Sequence, residues 1–197
     1  MAASERNNYK RGCFRRRARK LNHRRLVFLD ESAVNTAMTP RYGRAPRGER
    51  VVDFAPRNYG EQTSLIGALS FGRGLIAVMT LAGAVDMLCF DAYLSQVLAP
   101  RLRKGDVLVL DNLNVHKAIL IEQVAGERGA QVLWLPPYSP DYSPIEQCWS
   151  KIKTALLAAK ARTREELEKA LAQAITLISK ADIRGWFKHC GYEVASV

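Results

Sequence analysis

The sequence contains few of the residues that build disulfide scaffolds or zinc sites. Its 197 residues include four cysteines and three histidines. The cysteines are scattered, form no C-x-x-C pair, and have no histidine at a zinc-ligand spacing. This excludes a small disulfide-stabilised fold, and we expect reduced thiols in a cytosolic protein.

Long hydrophobic runs are also missing. The apolar stretches are interrupted by glycines or by acids such as Asp86 and Asp91, and they stay below the roughly 20 residues that a membrane span requires. No apolar h-region of the kind that a signal peptide carries follows the basic N-terminal residues. The sequence therefore predicts a cytoplasmic protein with no membrane contact, and its length suits one domain.

Acidic residues are scarce relative to basic ones, and the imbalance is local. The chain has 30 Lys and Arg against 19 Asp and Glu, and ten of the basic residues fall within residues 1–25 beside one acid, Glu5. We predict a flexible basic arm at 1–25, a folded domain at 26–192 and a short tail at 193–197. Such an arm favours contact with a polyanion such as DNA; the alternative is a solvated leader. The candidate DNA-binding residues of the arm are Arg15, Arg16, Arg17 and Arg19.

Hydrophobic patterning predicts an α/β fold. Strands are predicted at 26–29, 64–69, 75–80, 107–110 and 131–135, with a further short strand possible at 51–54. Helices are predicted at about 86–98, 115–127, 144–159 and 164–178. The first strands form a hairpin, whereas the second half alternates strand and helix, so we expect a mixed five-stranded sheet covered by helices on both faces.

Three acids stand at positions that suggest a shared site. Asp30 and Asp111 each follow a fully apolar strand, and neighbouring strands would bring them to one edge of the sheet. An aspartate after a strand is also a common turn residue. Glu146 lies in the first turn of a predicted helix whose N-cap is Ser143, and this spacing alone favours a capping box over a catalytic role.

The combined pattern resembles a known family. The segments that carry the resemblance are LVFLDES at 26–32, RYGRAPRGER at 41–50, LVLDNLNVHK at 108–117 and LPPYSPDYSPIEQCWSKIK at 135–153. They resemble the catalytic domain of the DDE transposases, in particular bacterial insertion-sequence transposases of the mariner superfamily. The 34 residues between Asp111 and Glu146 match the spacing of that family.

The resemblance implies a ribonuclease-H-like fold with Asp30, Asp111 and Glu146 as catalytic and metal-binding residues. It implies DNA cleavage at transposon ends by water, then attack of the freed 3′-hydroxyl on target DNA. Carboxylates suit two Mg²⁺ or Mn²⁺ ions, which together with three acids leave about one positive charge to meet a phosphate. Family members act as dimers on DNA, so the resemblance implies a homodimer on DNA. It also implies a nucleoid-associated location in a bacterial cell.

Other residues of the matched motifs have two interpretations each. Asn112 and His116 could support the site from a second shell, or could shape the turn and begin a helix. Arg41, Arg44 and Arg47 could contact phosphates, since guanidinium groups match phosphate oxygens, or could lie in a solvated loop.

The helix-turn-helix region that family members use to recognise transposon ends is expected to be absent from this chain, and a separate polypeptide could supply it. An alternative function is therefore a non-catalytic or regulatory fragment that binds DNA non-specifically or dimerises with a full-length transposase. A ribonuclease-H-like nuclease acting on RNA is disfavoured by the YSPDYSPIE segment.

Overall fold

The computed structural model describes residues 6–58, 60–111 and 115–193. The strands are β1 (Leu26–Asn35), β2 (Gln62–Ser70), β3 (Gly74–Ala82), β4 (Val107–Leu110) and β5 (Gln131–Trp134). The helices are α1 (Asn8–Ala18), α2 (Met87–Ala92), α3 (Val115–Glu127), α4 (Pro144–Ala159), α5 (Arg164–Thr176) and α6 (Lys180–His189). A π-helical turn, Tyr93–Leu98, extends α2.

The five strands form one mixed sheet in the order β3-β2-β1-β4-β5. The β1–β2 and β2–β3 pairs are antiparallel, and the β1–β4 and β4–β5 pairs are parallel. This is the predicted arrangement, with helices on both faces. It follows from the two kinds of connection: a short turn joins β2 to β3, whereas α3 crosses over between β4 and β5.

Side chains alternate along the central strands and so divide the interior into two cores. Phe28 and Leu65 face the core that contains α1, α4, α5 and α6. Val27 and Ile66 face the opposite core, with α2 and α3. Because β1 is covered on both faces, its first four residues are all buried, which explains their continuous apolar run.

The prediction of a flexible arm is wrong for the described part of residues 1–25. Residues 8–18 form α1, whose Phe14 and Ala18 are buried in the core. Phe14 stacks on Tyr142 with ring centroids 5.3 Å apart. The buried residues of α1 are Arg11, Phe14 and Ala18, which lie at helical spacing on one face, while Arg15, Arg16, Arg17 and Arg19 remain exposed. The predicted 193–197 tail lies outside the described residues except for Glu193.

Two further features bear on the sequence predictions. Residues 51–54 form no strand; they belong to an exposed irregular segment. All four cysteines are free, as expected. In the part of the chain that the structure describes, no helix is both long enough and apolar enough to cross a membrane.

Candidate active site

Asp30 and Asp111 lie at the same level of the sheet on neighbouring parallel strands. β1 pairs with β4 only from Leu26 to Phe28, and β4 ends at Leu110. β1 itself continues to Asn35 along β2, so Asp30 lies within the strand and not at its end as predicted. Asp111 is the first residue beyond β4. The predicted adjacency of the two acids follows from this register.

The pleat of β1 sends consecutive acids to opposite faces of the sheet. Asp30 faces α4, whereas Glu31 faces α3 and forms an ion pair with Lys117 at 2.7 Å. The Lys117 ammonium also lies 4.4 Å from the ring centroid of Phe90. Glu31 is therefore outside the acid cluster, as its place in the strand predicts.

The side chain of Asp30 is held by an indole. Trp149, on α4, donates its Nε1–H to Asp30 Oδ2 at 3.0 Å. Sequence patterning assigns Trp149 to core packing, and its ring is indeed buried. The hydrogen bond could not be predicted from the sequence because it joins residues 119 positions apart.

Glu146 projects from the first turn of α4 and is exposed. The alternative capping role is not supported, because the Ser143 side chain makes no cap hydrogen bond at this helix. A true capping box opens α5, where Thr163 and Glu166 bond reciprocally. Glu146 therefore does not take part in the capping box that its spacing suggests.

The segment before α4 is anchored to α1 by a buried arginine. Arg11 donates to Ser139 Oγ at 2.6 Å and to both carboxylate oxygens of Asp141, at 3.0 and 2.6 Å. Its guanidinium lies 4.1 Å from the ring centroid of Tyr142. The same guanidinium lowers the pKa of Asp141 by hydrogen bonding. Arg11 was not predicted as an anchor, because the N-terminal basic residues were expected to form one flexible arm.

The three acids line one cleft of about 450 Å³, together with the segment from Pro137 to Pro140 and with Ser143. Burial raises the pKa of Asp30 to about 7, with a further upward contribution from the negative charge of Glu146. Hydrogen bonds from the Glu31 backbone and from Trp149 oppose the shift, and the charge of Asp111 adds to it. The carboxylates are therefore close enough to repel one another.

The donor set of this cleft fits a hard divalent cation. Three carboxylates and no thiolate or imidazole line it, which is the ligand chemistry of Mg²⁺ and Mn²⁺. Within the described residues, no three Asp, Glu, His or Cys side chains already stand where they could hold one ion together. Asp111 and Glu146 are exposed, whereas Asp30 is half-buried.

Residues 25–168 match the family described as DDE superfamily endonuclease. The chain belongs to this family. The match covers all three acids of the cleft and the whole sheet. No characterised protein sequence shows a significant match to the chain.

Solved structures of Mos1 transposase share the fold of this DDE endonuclease. A pre-cleavage Mos1 transpososome superposes with a TM-score of 0.73 at 18% identity, over 96% of this chain and 62% of that chain. A Mos1 mariner paired-end complex with Mn gives 0.71 at 20% identity, with the same coverages. The isolated Mos1 catalytic domain gives 0.61 at 18% identity, over 93% and 85%. The DDE endonuclease thus spans under two thirds of the longer Mos1 chains.

The other predicted site residues that the structure describes are not gathered at the cleft. Asn112 lies outside the described residues. His116 is exposed in the first turn of α3 and is not among the described residues that line the cleft. Arg41, Arg44 and Arg47 are exposed in the irregular segment between β1 and β2.

Proposed function

We propose that this chain is the catalytic domain of a transposase, which cleaves DNA at transposon ends and transfers the freed strand to target DNA. The observation that carries the proposal is the convergence of Asp30, Asp111 and Glu146 on one cleft in a chain of the DDE endonuclease family. Mos1 structures with transposon ends support the assignment of DNA as the substrate.

Asp30, Asp111 and Glu146 would hold two Mg²⁺ or Mn²⁺ ions. Two bound divalent cations would polarise the phosphoryl group and lower the pKa of the attacking water or 3′-hydroxyl. Mos1 paired-end complexes are known with Mn and with Mg, which supports the choice of metal. The protein's own part is to keep Asp30 in a fixed orientation through Trp149 and to present the two exposed acids across the cleft.

Side-chain nucleophiles have no role in this proposal. Burial raises the pKa of the Cys148 thiol to about 12 and that of Cys190 to about 11. Both thiols are therefore protonated near neutral pH and are poor nucleophiles. The attacking group is water in the first step and the DNA 3′-hydroxyl in the second, because both can approach phosphorus in line at the same acids.

The exposed arginines would bind the DNA backbone. Arg15, Arg16, Arg17 and Arg19 are exposed on α1 and at its C-terminal end. Arg15 also lies 5.2 Å from the ring centroid of Tyr142, in the cleft-forming segment that Arg11 anchors. Arg41, Arg44 and Arg47 add positive charge between β1 and β2. We further propose that the domain works as a homodimer at the nucleoid of a bacterial cell and has a helix-turn-helix polypeptide as a further partner. His116 and Asn112 remain proposed second-shell residues.

Nicking of supercoiled plasmid in the presence of Mn²⁺ tests this function. Asp111→Asn and Glu146→Gln should each lower the nicking rate by about 100-fold or more, since each removes a ligand of the reacting centre. Glu165→Gln, which alters an exposed acid of α5, is the matched control and should nick as the wild type does. A wild-type chain without nicking activity would instead support the non-catalytic fragment. Preference for an RNA–DNA hybrid would contradict the transposase assignment.

A further inference from the structure

The indole of Trp149 occupies a space that the sheet leaves open for it. Gly67 of β2 is the direct cross-strand partner of Asp30, so a side chain at position 67 would rise on the same face as the Asp30 carboxylate. A Cβ atom there would lie 2.5 Å from Trp149 Cη2 and 2.9 Å from Cζ2. A glycine inside a strand weakens it, and here it permits the close approach of a side chain.

Trp149 approaches Asp30 from the same helix that supplies Glu146. The two α4 residues are three positions apart, so one helical turn contributes both an acid of the cleft and a donor to another acid. Ile145 and Ile152, also on α4, are fully buried and fix the helix against the sheet. The indole therefore reaches Asp30 from a rigid support.

The chemistry of the donor suits a residue that orients a ligand. An indole N–H is a neutral donor with no acceptor capacity. It can fix one oxygen of a carboxylate without cancelling the negative charge, whereas Lys or Arg at this place would compete with a cation. Hydrogen bonds of this kind to ligating carboxylates commonly set the affinity of a metal site.

We propose that Trp149 is a positioning residue of the active site, which fixes Asp30 Oδ2 so that the other carboxylate oxygen is directed to a divalent cation, and that Gly67 is required for this contact. The inference rests on the proposed function, because it takes the acid cleft to be a metal site. It adds two residues to the machinery of that site, neither of which binds the metal.

Mn²⁺ binding to the full chain, measured by isothermal titration calorimetry without DNA, tests the proposal. Trp149→Phe removes the N–H and keeps an aromatic ring, and it should weaken Mn²⁺ binding about 10- to 100-fold. Trp134→Phe is the matched control, because the Trp134 indole donates to Glu122, an acid outside the cleft. Equal Mn²⁺ affinity in the two variants would overturn the proposal.

Gly67→Ala perturbs the same contact between Trp149 and Asp30 without removing any atom from Trp149. Its methyl group should displace the indole and weaken Mn²⁺ binding to a similar extent. In the Gly67→Ala/Trp149→Phe double variant the loss should not increase, because phenylalanine lacks the Cζ2 and Cη2 atoms that the methyl group would meet. Additive losses would show that the two residues act separately and would overturn the shared role.

Thermal unfolding without metal separates positioning from structural support. A purely structural role would lower the Tm of Trp149→Phe and leave the Mn²⁺ affinity of its folded form unchanged, which would overturn the proposal. If Trp149→Phe does not fold, the Mn²⁺ affinity of Gly67→Ala alone tests the proposal. An affinity equal to that of the wild type in Gly67→Ala would then overturn it. A wild-type chain that binds Mn²⁺ but nicks no DNA contradicts the proposed function, while the affinity comparison still decides the role of Trp149. A wild-type chain that binds no Mn²⁺ overturns both.

Discussion

At the scale of single residues, Asp30 introduces a pH dependence into the stability of the metal-free protein. Its pKa rises from 3.8 to about 7 on folding, so the folded state keeps a proton that the unfolded chain releases. The free energy of unfolding of the metal-free protein therefore falls as pH rises from about 4 to about 7. Above that range, Asp30 causes no further loss of stability. Asp30→Asn should stabilise the metal-free protein by about 2–4 kcal/mol at pH 8 and hardly at all near pH 4.

Urea unfolding at both pH values, with a metal chelator present, measures this effect. Asparagine still accepts the Trp149 N–H, so the variant changes charge and not packing. Asp91→Asn, at an exposed position, is the control and should be neutral at both pH values. A stabilisation by Asp30→Asn that is the same at pH 4 and pH 8 would contradict the raised pKa.

Asp111 should determine whether the protein responds to divalent cations. Mg²⁺ or Mn²⁺ at about ten times its Kd should stabilise the wild type by about 1.4 kcal/mol, which raises the Tm by about 3–6 °C for a chain of this size. Asp111→Asn should show no such shift, whereas Glu165→Gln should retain it. Differential scanning fluorimetry with and without metal is sufficient, and equal shifts in the wild type and Asp111→Asn would refute the metal site.

At the scale of elements, the anchoring of α1 should contribute to global stability. The Arg11 side chain is 5% exposed and that of its partner Asp141 is 46% exposed, so solvent partly screens the pair. Arg11→Ala should cost about 1–3 kcal/mol, because it leaves Ser139 and Asp141 without their buried donor. Arg17→Ala, on the exposed side of the same helix, should cost under about 0.5 kcal/mol. Equal unfolding free energies for the two variants would show that α1 is not anchored by Arg11.

The elements that the sequence predicts well are those with local determinants. α4 begins at Pro144 and α3 runs over 115–127, both as predicted, since proline and the apolar spacing mark their limits. Strands β1 and β4 were identifiable from their apolar runs, although β1 is longer because pairing with β2 continues beyond Asp30. Such pairing depends on a second strand and is not encoded in the segment itself.

Two helices, α1 and α6, were not predicted, because their sequence patterns are weaker than those of the other elements. α1 was obscured by its arginines, yet Arg11, Phe14 and Ala18 follow one another at helical spacing on its buried side. α6 was not predicted, although Ser179 and Asp182 form a readable capping box before it. The contact between Trp149 and Asp30 has no local pattern, because it depends on how α4 crosses the sheet.

At the scale of the whole molecule, the excess positive charge of +11 should make DNA binding strongly dependent on salt. Replacing Arg15, Arg17 and Arg19 by alanine should reduce the slope of log K against log salt concentration by up to about 3, if each contacts one phosphate. Fluorescence anisotropy with a labelled duplex at several salt concentrations measures the slope.

A matched triple variant controls for the loss of charge alone. Arg101, Arg103 and Lys104 are exposed and precede β4, at the end of the sheet opposite the acid cleft. Their replacement by alanine should leave the slope nearly unchanged. A similar reduction of the slope in both triple variants would mean that net charge, and not the replaced arginines at positions 15, 17 and 19, governs DNA binding.

The unequal lengths of β1 and β4 place the three acids in different backbone settings. Asp30 is secured by backbone pairing on β2 and by an indole, whereas Asp111 begins a connection and Glu146 extends from a helix end. Superposition of substrate-bound and substrate-free crystal structures should leave the Asp30 carboxylate in place, so that this residue defines the reference point from which the reacting phosphorus is measured.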